Sequence, residues 1–580
     1  MMVGFAMWDK WLVLLLLIAI IGSLIFTKIK PSFIFATAAL VAFMTGAVDL
    51  DGIAKNFTNS SLLTLVLLIL ASCALEKTRL ISWISRHISS GRLGSVVAKL
   101  GFSTAFLSSF TNNTAVVVSL IGAIKRNNSH APSRLLIPLS YAAILGGTLT
   151  LIGTSTNLII NSFVVDAGLP SLGFFAPTCI GLAILVIGVL VLIPLSYLLP
   201  HSDSNEHDVL PYFLEARVEA GSPLIGKSIA QNNLRALRKL FLAEVIRDGV
   251  TIASVTPDLV LLENDRLLFC GDVESVATLQ EIPGITLFGQ HHLNGQSFIE
   301  VVVSQSASIC NKTLKSSQFR DRFDAVVVAI RRGHERLEGG LGNVKLVAGD
   351  TLVLVPGKGF HSARQDHGKE FVLINDLDSS AKLDRTKSAI ALFGFAAVIG
   401  LSLVGVIPII KGLAGYIVLM LVFGAVGISE LRRRFPIDIV VIVGSALCLA
   451  QLMMSSGLSK QMGDLFIYLF NGGGPMGALI ATYLLTLILT ELITNNAAAA
   501  LAFPIGYSMA IGYGVDPMPF IMAVLFGASA SFVSPYGYQT NLLVYSVGNY
   551  HINDFIKIGV PISIVYSVVT LTLIPYFFPF

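Results

Sequence analysis

The chain has 580 residues, 54% of them hydrophobic and 13% charged, with a formal net charge of +4. A soluble domain carries about 25% charged residues, so this composition excludes a soluble globular protein and indicates a membrane protein. The five cysteines (Cys73, Cys179, Cys270, Cys310, Cys448) show no metal-ligand spacing, which argues against zinc and disulfides, and the absence of GxxxxGK[ST] leaves no sign of an ATP-driven pump.

Taken in chain order, "WLVLLLLIAIIGSLIF" (Trp11–Phe26) opens the membrane-like part. No small-residue cleavage site follows it; Lys28 and Lys30 do, so it reads as a span and not as a signal peptide. Further spans are predicted near 32–48 and 61–76. The segment near 100–124 has basic residues on both flanks (Arg86, Arg92 and Lys99 before it, Lys125, Arg126 and Arg134 after it). Because cytoplasmic loops carry the excess of Lys and Arg, it reads as a re-entrant hairpin entering from the cytoplasm. A broken span near 135–165 leads out, with Asp166 in an external loop, and 174–199 returns.

From His201 to about Arg385 charges are frequent and β-branched runs alternate with polar residues. Gly221–Asp272 and Ser306–Gly357 repeat one pattern: strand entry, short helix, strand ("LAEVIRDG", "AVVVAIRRG"), turn, then an Asn-Asp or Gly-Asp turn into a last strand. His291, His292 and His361 read as solvated. The second membrane half has spans near 388–405, 412–428 and 436–454, a hairpin near 475–511, a broken span near 518–548 and a last span near 558–577. Arg432, Arg433 and Arg434 precede its third span, and Lys55, Lys411 and Lys460 suit external loops. On this reading the N-terminus is outside and the two halves are inverted copies, as in secondary transporters. The expected fold class is a polytopic α-helical membrane protein with two inverted repeats, each with a re-entrant hairpin and a broken helix, and inserted cytosolic α+β domains. The expected domains are 1–200, 208–290, 291–375 and 386–580.

Two strings stand out in these apolar surroundings: "SSFTNNTAVVVSLIG" (Ser108–Gly122) and "ELITNNAAAALAFPIG" (Glu491–Gly506). A buried amide is costly unless it has a partner. A single Thr-Asn-Asn is more often a helix cap or an interhelical hydrogen bond. Here the strings occupy corresponding places, and "GTSTNLIINS" (Gly153–Ser162) matches "GYQTNLLVYS" (Gly537–Ser546) at similar spacing. Non-helical backbone at membrane depth persists only inside protein or beside a wet cavity. Helix N-termini there attract anions, while free carbonyls, amides and hydroxyls offer oxygen ligands to a hard cation such as Na⁺. Glu491 is either a proton or cation site or a structural hydrogen-bond acceptor at the hairpin. Cys448 reads as packing and the glycines at 472–474 as loop.

The middle segment resembles tandem C-terminal regulators of potassium conductance (TrkA-C type) through Gly226-Lys227-Ser228, Arg247-Asp248-Gly249, Asn264-Asp265 and Gly349-Asp350. That resemblance implies a cytosolic regulatory module, in some relatives a nucleotide or small-ligand binder; a spacer without ligand is the alternative. The membrane halves resemble the divalent anion:sodium symporter family of the ion transporter superfamily. Its Ser-Asn-Thr motif at each hairpin tip corresponds to Asn112-Asn113-Thr114 and Thr494-Asn495-Asn496. Its Thr-Pro-Pro-Asn motif corresponds to Thr154-Ser155-Thr156-Asn157 and Tyr538-Gln539-Thr540-Asn541, with the prolines gone. Pairing the two Thr-Asn-Asn strings directly gives a register one residue different, and the sequence leaves both open. The resemblance implies anion contacts from Asn112, Asn113, Thr114, Thr154, Thr494, Asn495, Asn496 and Tyr538. It implies Na⁺ sites at Ser108, Asn113 and Gly153, and at Thr490, Asn495 and Gly537. It further implies a homodimer with an elevator-like motion, placed in a bacterial inner membrane among lipid, with a small divalent anion as cargo. Sulfate is favoured over a C4-dicarboxylate. A gated ion channel fits poorly with two inverted halves, and no Ser/His/Asp or metal constellation supports an enzyme.

Overall fold

The structure is a computed structural model that describes residues 2–27, 29–78, 91–125, 129–200, 212–232, 234, 240–247, 250–252, 258–271, 282–287, 299–304, 307–333, 335–337, 341–356, 370–373, 383–458, 461 and 473–580. Arg86, Arg126, Lys460, His291, His292, His361, the Asp248-Gly249 turn and the boundaries expected near 208, 290 and 375 lie outside those residues.

The first run of helices is α1 (Met2–Phe26), α2 (Pro31–Met44), α3 (Leu50–Phe57), α4 (Ser60–Glu76), α5 (Leu93–Ser108), α6 (Asn113–Lys125), α7 (Leu136–Gly147), α8 (Ser155–Asp166) and α9 (Thr178–Leu195). Strands β1 (Tyr212–Val218), β2 (Leu240–Arg247), β3 (Val250–Ile252), β4 (Arg266–Gly271), β5 (Ile285–Leu287) and β6 (Ile299–Val303) follow. A short helix α10 (Phe319–Phe323) precedes β7 (Ala325–Arg332), β8 (Glu335–Arg336), β9 (Thr351–Pro356) and β10 (Phe371–Leu373). The second run is α11 (Arg385–Leu403), α12 (Ile409–Val422), α13 (Ile428–Arg434), α14 (Ile437–Ser455), α15 (Gly474–Leu492), α16 (Asn495–Tyr513), α17 (Met518–Ser529), α18 (Gln539–Val547) and α19 (Ile552–Phe577). Both runs use the same order of long, short and paired helices.

Among the described residues six helical stretches are long and apolar enough to cross a bilayer: Leu50–Glu76, Thr178–Leu198, Arg385–Leu403, Ile437–Ser455, Gly474–Leu492 and Ile552–Phe577. Their outer faces are apolar too. On α9, Ile184, Leu185, Val189 and Leu192 are buried while Leu182, Val186 and Leu190 face outward. Apolar side chains on both faces suit a helix with protein on one side and hydrocarbon on the other.

The structure corrects several sequence expectations. Lys411 lies in the first turn of α12 and Lys55 in α3, not in loops. Helix α3 is capped by Asp49, whose carboxylate accepts from Gly52 N–H at 2.8 Å, with Asp51 in its first turn and Lys55 in its last; both charges complement the helix dipole. Arg432, Arg433 and Arg434 stand before the span α14, as expected, and form the last turn of α13, where they too complement the helix dipole. Asp166 ends α8 and Gly474 opens α15. The first hairpin also starts earlier than expected, at Leu93.

Helices α2, α3, α4, α13 and α14 are joined by polar links. Ser32 Oγ donates to Asp438 Oδ1 at 2.8 Å, Arg434 pairs with Glu76 at 2.9 Å, Lys77 pairs with Glu430, and Asn56 Nδ2 donates to Gln451 Oε1 at 3.2 Å. Buried tyrosines tie the two runs together elsewhere. Tyr141 on α7 donates to Phe532 O at 2.5 Å, and Tyr550 bonds to Ser133 O while accepting from Ile137 N–H at 3.3 Å.

Residues 212–373 form two five-stranded antiparallel sheets. Their orders, β3-β2-β4-β1-β5 and β8-β7-β9-β6-β10, coincide when the strands of the second are renumbered from its start. Each sheet has a bulge at the same place, Leu242/Glu244 and Val327/Ala329. Each also has the same buried ion pair. Arg247 grips Asp265 at 2.8 and 2.7 Å, and Arg332 grips Asp350 at 2.7 and 2.9 Å. The second carboxylate oxygen accepts from the third residue before it, Leu262 N–H or Val347 N–H. Removing either carboxylate, itself buried, takes the shared acceptor from a partly exposed arginine and from a turn N–H and so loosens that turn. Asp265→Ala and Asp350→Ala are therefore expected to raise hydrogen exchange in the sheet that carries the change and leave the other sheet protected, as read by mass spectrometry on the full chain.

Candidate functional site

The two hairpin tips carry one hydrogen-bond pattern twice. At the first, α5 ends at Ser108 and α6 begins at Asn113. Ser108 Oγ lies within bonding reach of Asn113 Oδ1 and of Ala143 O, the latter at 2.8 Å. At the second, Thr490 Oγ1 reaches Asn495 Oδ1 at 3.0 Å and Ala528 O at 2.7 Å. Asn157 Nδ2 donates to Gly147 O at 3.2 Å and Thr150 O at 2.9 Å, and Asn541 Nδ2 donates to Ser531 O at 2.8 Å. These contacts set the register that the sequence left open: Asn113 corresponds to Asn495, with Ser108 matching Thr490. The direct Thr-Asn-Asn pairing is ruled out because it would separate each asparagine from its hydroxyl partner.

Contacts between the two runs bring both tips to both breaks. Asn113 Nδ2 donates to Tyr538 Oη at 2.7 Å, and Thr154 Oγ1 lies 3.4 Å from the same hydroxyl. Thr114 Oγ1 donates to Gln539 Oε1 at 3.4 Å. Ser155 and Thr156 hydroxyls donate to Asn496 Oδ1 at 3.1 and 3.3 Å. The N-termini of α6, α8, α16 and α18 thus converge. Each carries the first-turn N–H groups and the positive end of a helix dipole, and none of the contacts just described uses a lysine or arginine.

Close backbone approach holds the breaks. A Cβ on Gly153 would lie 2.5 Å from Gly147 O, and one on Gly537 would lie 2.3 Å from Ser531 Oγ and 2.8 Å from Thr490 O. The second break has an extra support. Glu491 Oε1 accepts from Phe532 N–H and Val533 N–H at 2.8 and 2.9 Å, and Oε2 accepts from Ser534 N–H at 2.8 Å. Of the two readings of Glu491, the structure places it as a hydrogen-bond acceptor. In the first half the matching residue is Ser109, whose carbonyl accepts from Thr150 Oγ1 at 2.5 Å.

Asn113 and Gly153 both approach Gly147, with Ser108 bonded to Asn113; Gly537 approaches Ser531 and Thr490, with Thr490 bonded to Asn495. Asn157 Oδ1, Ser529 Oγ, Ser531 Oγ and Asn495 Nδ2 are buried without a partner. Unmatched oxygens of this kind, together with the hydroxyls and carbonyls nearby, are a donor set that suits a hard monovalent cation. Of the residues expected to contact an anion, Asn113, Thr114, Thr154, Asn496 and Tyr538 meet across the two runs. Asn112 stays local: exposed, it accepts from Thr114 N–H at 2.9 Å. Thr494 occupies the N-cap position of α16 without a side-chain cap bond. Sequence reasoning missed Ser140 and Gln539. Ser140, fully buried, donates to Asn541 Oδ1 at 2.7 Å and lies 2.9 Å from the Thr540 hydroxyl. Its only signal was a hydroxyl in the apolar run "LIPLSYAAILGG".

Interrupted helices whose N-termini meet inside an apolar bundle are the site architecture of membrane transporters, and this integral membrane protein is one. A family model described as citrate transporter matches residues 12–527, and the chain belongs to that family. A Chlamydomonas reinhardtii protein named "Putative sulfur deprivation response regulator" is 32% identical, covering 94% of this chain and 97% of its own. "Uncharacterized transporter sll0640" of Synechocystis is 30% identical, covering 96% and 95%. Sodium/sulfate cotransporter 1 of C. reinhardtii is 28% identical, covering 61% of this chain and 42% of its own length.

A backbone carbonyl cannot yield to a new methyl group as a flexible side chain can, and a misplacement of about 1 Å costs on the order of 100-fold in a positioned site. Gly153→Ala and Gly537→Ala are each expected to lower uptake of labelled sulfate or citrate per reconstituted molecule by that order. Gly415→Ala, in α12 with open space around it, should leave uptake unchanged.

Proposed function

We propose that the chain is a secondary transporter that couples inward Na⁺ movement to symport of a divalent anion, with sulfate as the favoured cargo. The observation that carries this reading is the convergence of four helix N-termini with neutral amides and hydroxyls between them. Positive helix ends and co-bound cations supply the potential that arginines supply elsewhere. Asn113, Thr114, Thr154, Asn496 and Tyr538 would contact the anion, with Asn112, Thr494 and Asn495 beside them at the tips. Ser108, Asn113 and Gly153 would form one Na⁺ site and Thr490, Asn495 and Gly537 the other. The likeness to a sodium/sulfate cotransporter supports both the ion and the cargo.

The two runs would be inverted in the membrane, as the distribution of basic residues indicates. Transport would proceed by an elevator-like motion of the hairpins and breaks against α2, α4, α13 and α14. The two sheets would lie in the cytoplasm as a regulatory module of TrkA-C type. Homodimerisation and a place in a bacterial inner membrane follow from the same family resemblance. A second reading, a C4-dicarboxylate or citrate as cargo, is favoured by the description of the family itself.

Radiolabelled sulfate uptake into proteoliposomes separates these readings. Uptake under an inward Na⁺ gradient, absent under an inward K⁺ gradient and indifferent to unlabelled succinate, is the expected result. Competition by succinate would move the cargo to dicarboxylates, and uptake without Na⁺ would remove the coupling. Asn113→Ala and Asn495→Ala are expected to abolish uptake. Tyr538→Phe removes one hydroxyl, a neutral hydrogen bond worth about 1 kcal/mol, and is expected to raise the half-saturating anion concentration about fivefold.

A further inference from the structure

The second sheet is bonded to the membrane helices, and its contacts fall on the two helices that bring Asn113, Thr114 and Gln539 to the site. Side chains alternate along β6. Ile299, Val301 and Val303 face the core of their own sheet, whereas Val302 packs into the helix core. Glu300, on the same face as Val302, pairs with Lys125 Nζ at 3.1 Å. Burial alone would raise the Glu300 carboxyl, but Lys125 and Arg331 together hold it below the usual range. Lys125 is the last residue of α6, whose first is Asn113.

The other contact is with α18. Arg331 Nη2 donates to Ser546 O at 2.9 Å, in the last turn of that helix, where free carbonyls favour a cation. Ser546 Oγ donates to Gly349 O at 2.5 Å. Gly349 has φ +88°, and a Cβ there would lie 2.6 Å from Leu542 Cδ1. The first sheet has the same turn beside the same Arg–Asp pair, but with Asn264 at φ 66° and an exposed side chain bonded to Arg217. Glycine stands in the turn that docks and asparagine in the turn that does not. Where the chain leaves the sheets, Leu383 N–H donates to Lys77 O at 3.1 Å, directly after α4.

We infer that the second sheet is a built-in brake on transport. It fastens the far ends of α6 and α18, the helices whose near ends form the site, and its release speeds the cycle. The inference rests on the transporter reading but not on the identity of the ion or the cargo. A helix of 13 or 9 residues is a stiff rod of about 20 or 14 Å, so holding one end restrains the other. Any contact made in one conformation only lowers that conformation's energy and slows departure from it.

Two perturbations test this in the full chain. Gly349→Asn keeps a turn that Asn264 shows to be accessible to asparagine, and drives a side chain into Leu542. Glu300→Lys breaks the ion pair, and Glu300→Lys with Lys125→Glu restores it in reverse. Hydrogen exchange over residues 542–547 reads docking without any substrate. It is expected to rise in both single variants and return in the charge-reversed pair. The initial uptake rate is expected to rise about two- to fivefold in both single variants and return in the pair, with half-saturation unchanged. Increased exchange with an unchanged or lower uptake rate would overturn the brake. So would exchange that does not rise in either single variant. Failure of wild-type protein to take up sulfate would instead count against the cargo, and the same comparison would then be run with labelled succinate or citrate.

Discussion

Backbone that leaves a helix inside a bilayer has to find partners for its N–H and C=O groups, and this molecule solves that problem four times in one place. Two hairpin tips and two broken helices end within reach of one another. Each break is closed by an asparagine, a hydroxyl or a carboxylate from the neighbouring element. Asn157 ties Gly147 O at the end of α7 to Thr150 O, Asn541 bonds Ser531 O before α18, and Ser108 and Thr490 clasp the asparagine that opens the next helix. Water in that position would cost nothing in solution, but at membrane depth the protein has to supply its own polar groups. What remains unpaired after this accounting is a small set of buried oxygens and amides, and those are the groups available to an ion.

The two copies are alike in geometry and unlike in chemistry. Tyr538 stands where the first half has Thr154, and its longer side chain crosses to Asn113. Glu491 stands where the first half has Ser109. Its three backbone N–H bonds hold residues 532–534, whereas the first break relies on the Thr150 hydroxyl and the Ser109 carbonyl. A carboxylate accepting several N–H groups is a strong, charge-assisted clamp. The second break is therefore held by one carboxyl group that accepts three backbone N–H bonds and the first by a hydroxyl-to-carbonyl bond. This asymmetry makes the two breaks alike in backbone path and unlike in the side chains that hold them.

The same logic separates the two sheets. They share strand order, bulge position and the Arg–Asp pair that supports the turn before the fourth strand, so folding demands are met identically in both. They differ at positions that folding alone leaves free. Gly349 in place of Asn264, and Glu300 on the outward face of β6, have no role in the sheet's own core; they matter only where the sheet meets α6 and α18.

Much of this was written in the sequence. Apolar runs of membrane length reveal the spans because hydrocarbon tolerates little else. The tandem strand patterns of the middle segment follow from period-2 alternation and Asp- and Gly-bearing turns. The duplicated Thr-Asn-Asn and Thr-Asn strings marked where polar groups had to cluster. Local capping was harder to see: Lys55 reads as loop because an eight-residue amphipathic helix carries too short a pattern. Three matters were decided by tertiary structure alone. The register of the two tips depends on which asparagine a hydroxyl 5 positions earlier can reach. Ser140 and Gln539 joined the site because partners about 400 positions away are brought to them. The choice of which sheet docks rests on two helix ends distant in sequence. Sequence periodicity reports what a segment does with its own neighbours, but contacts between distant segments exist only once the chain has folded.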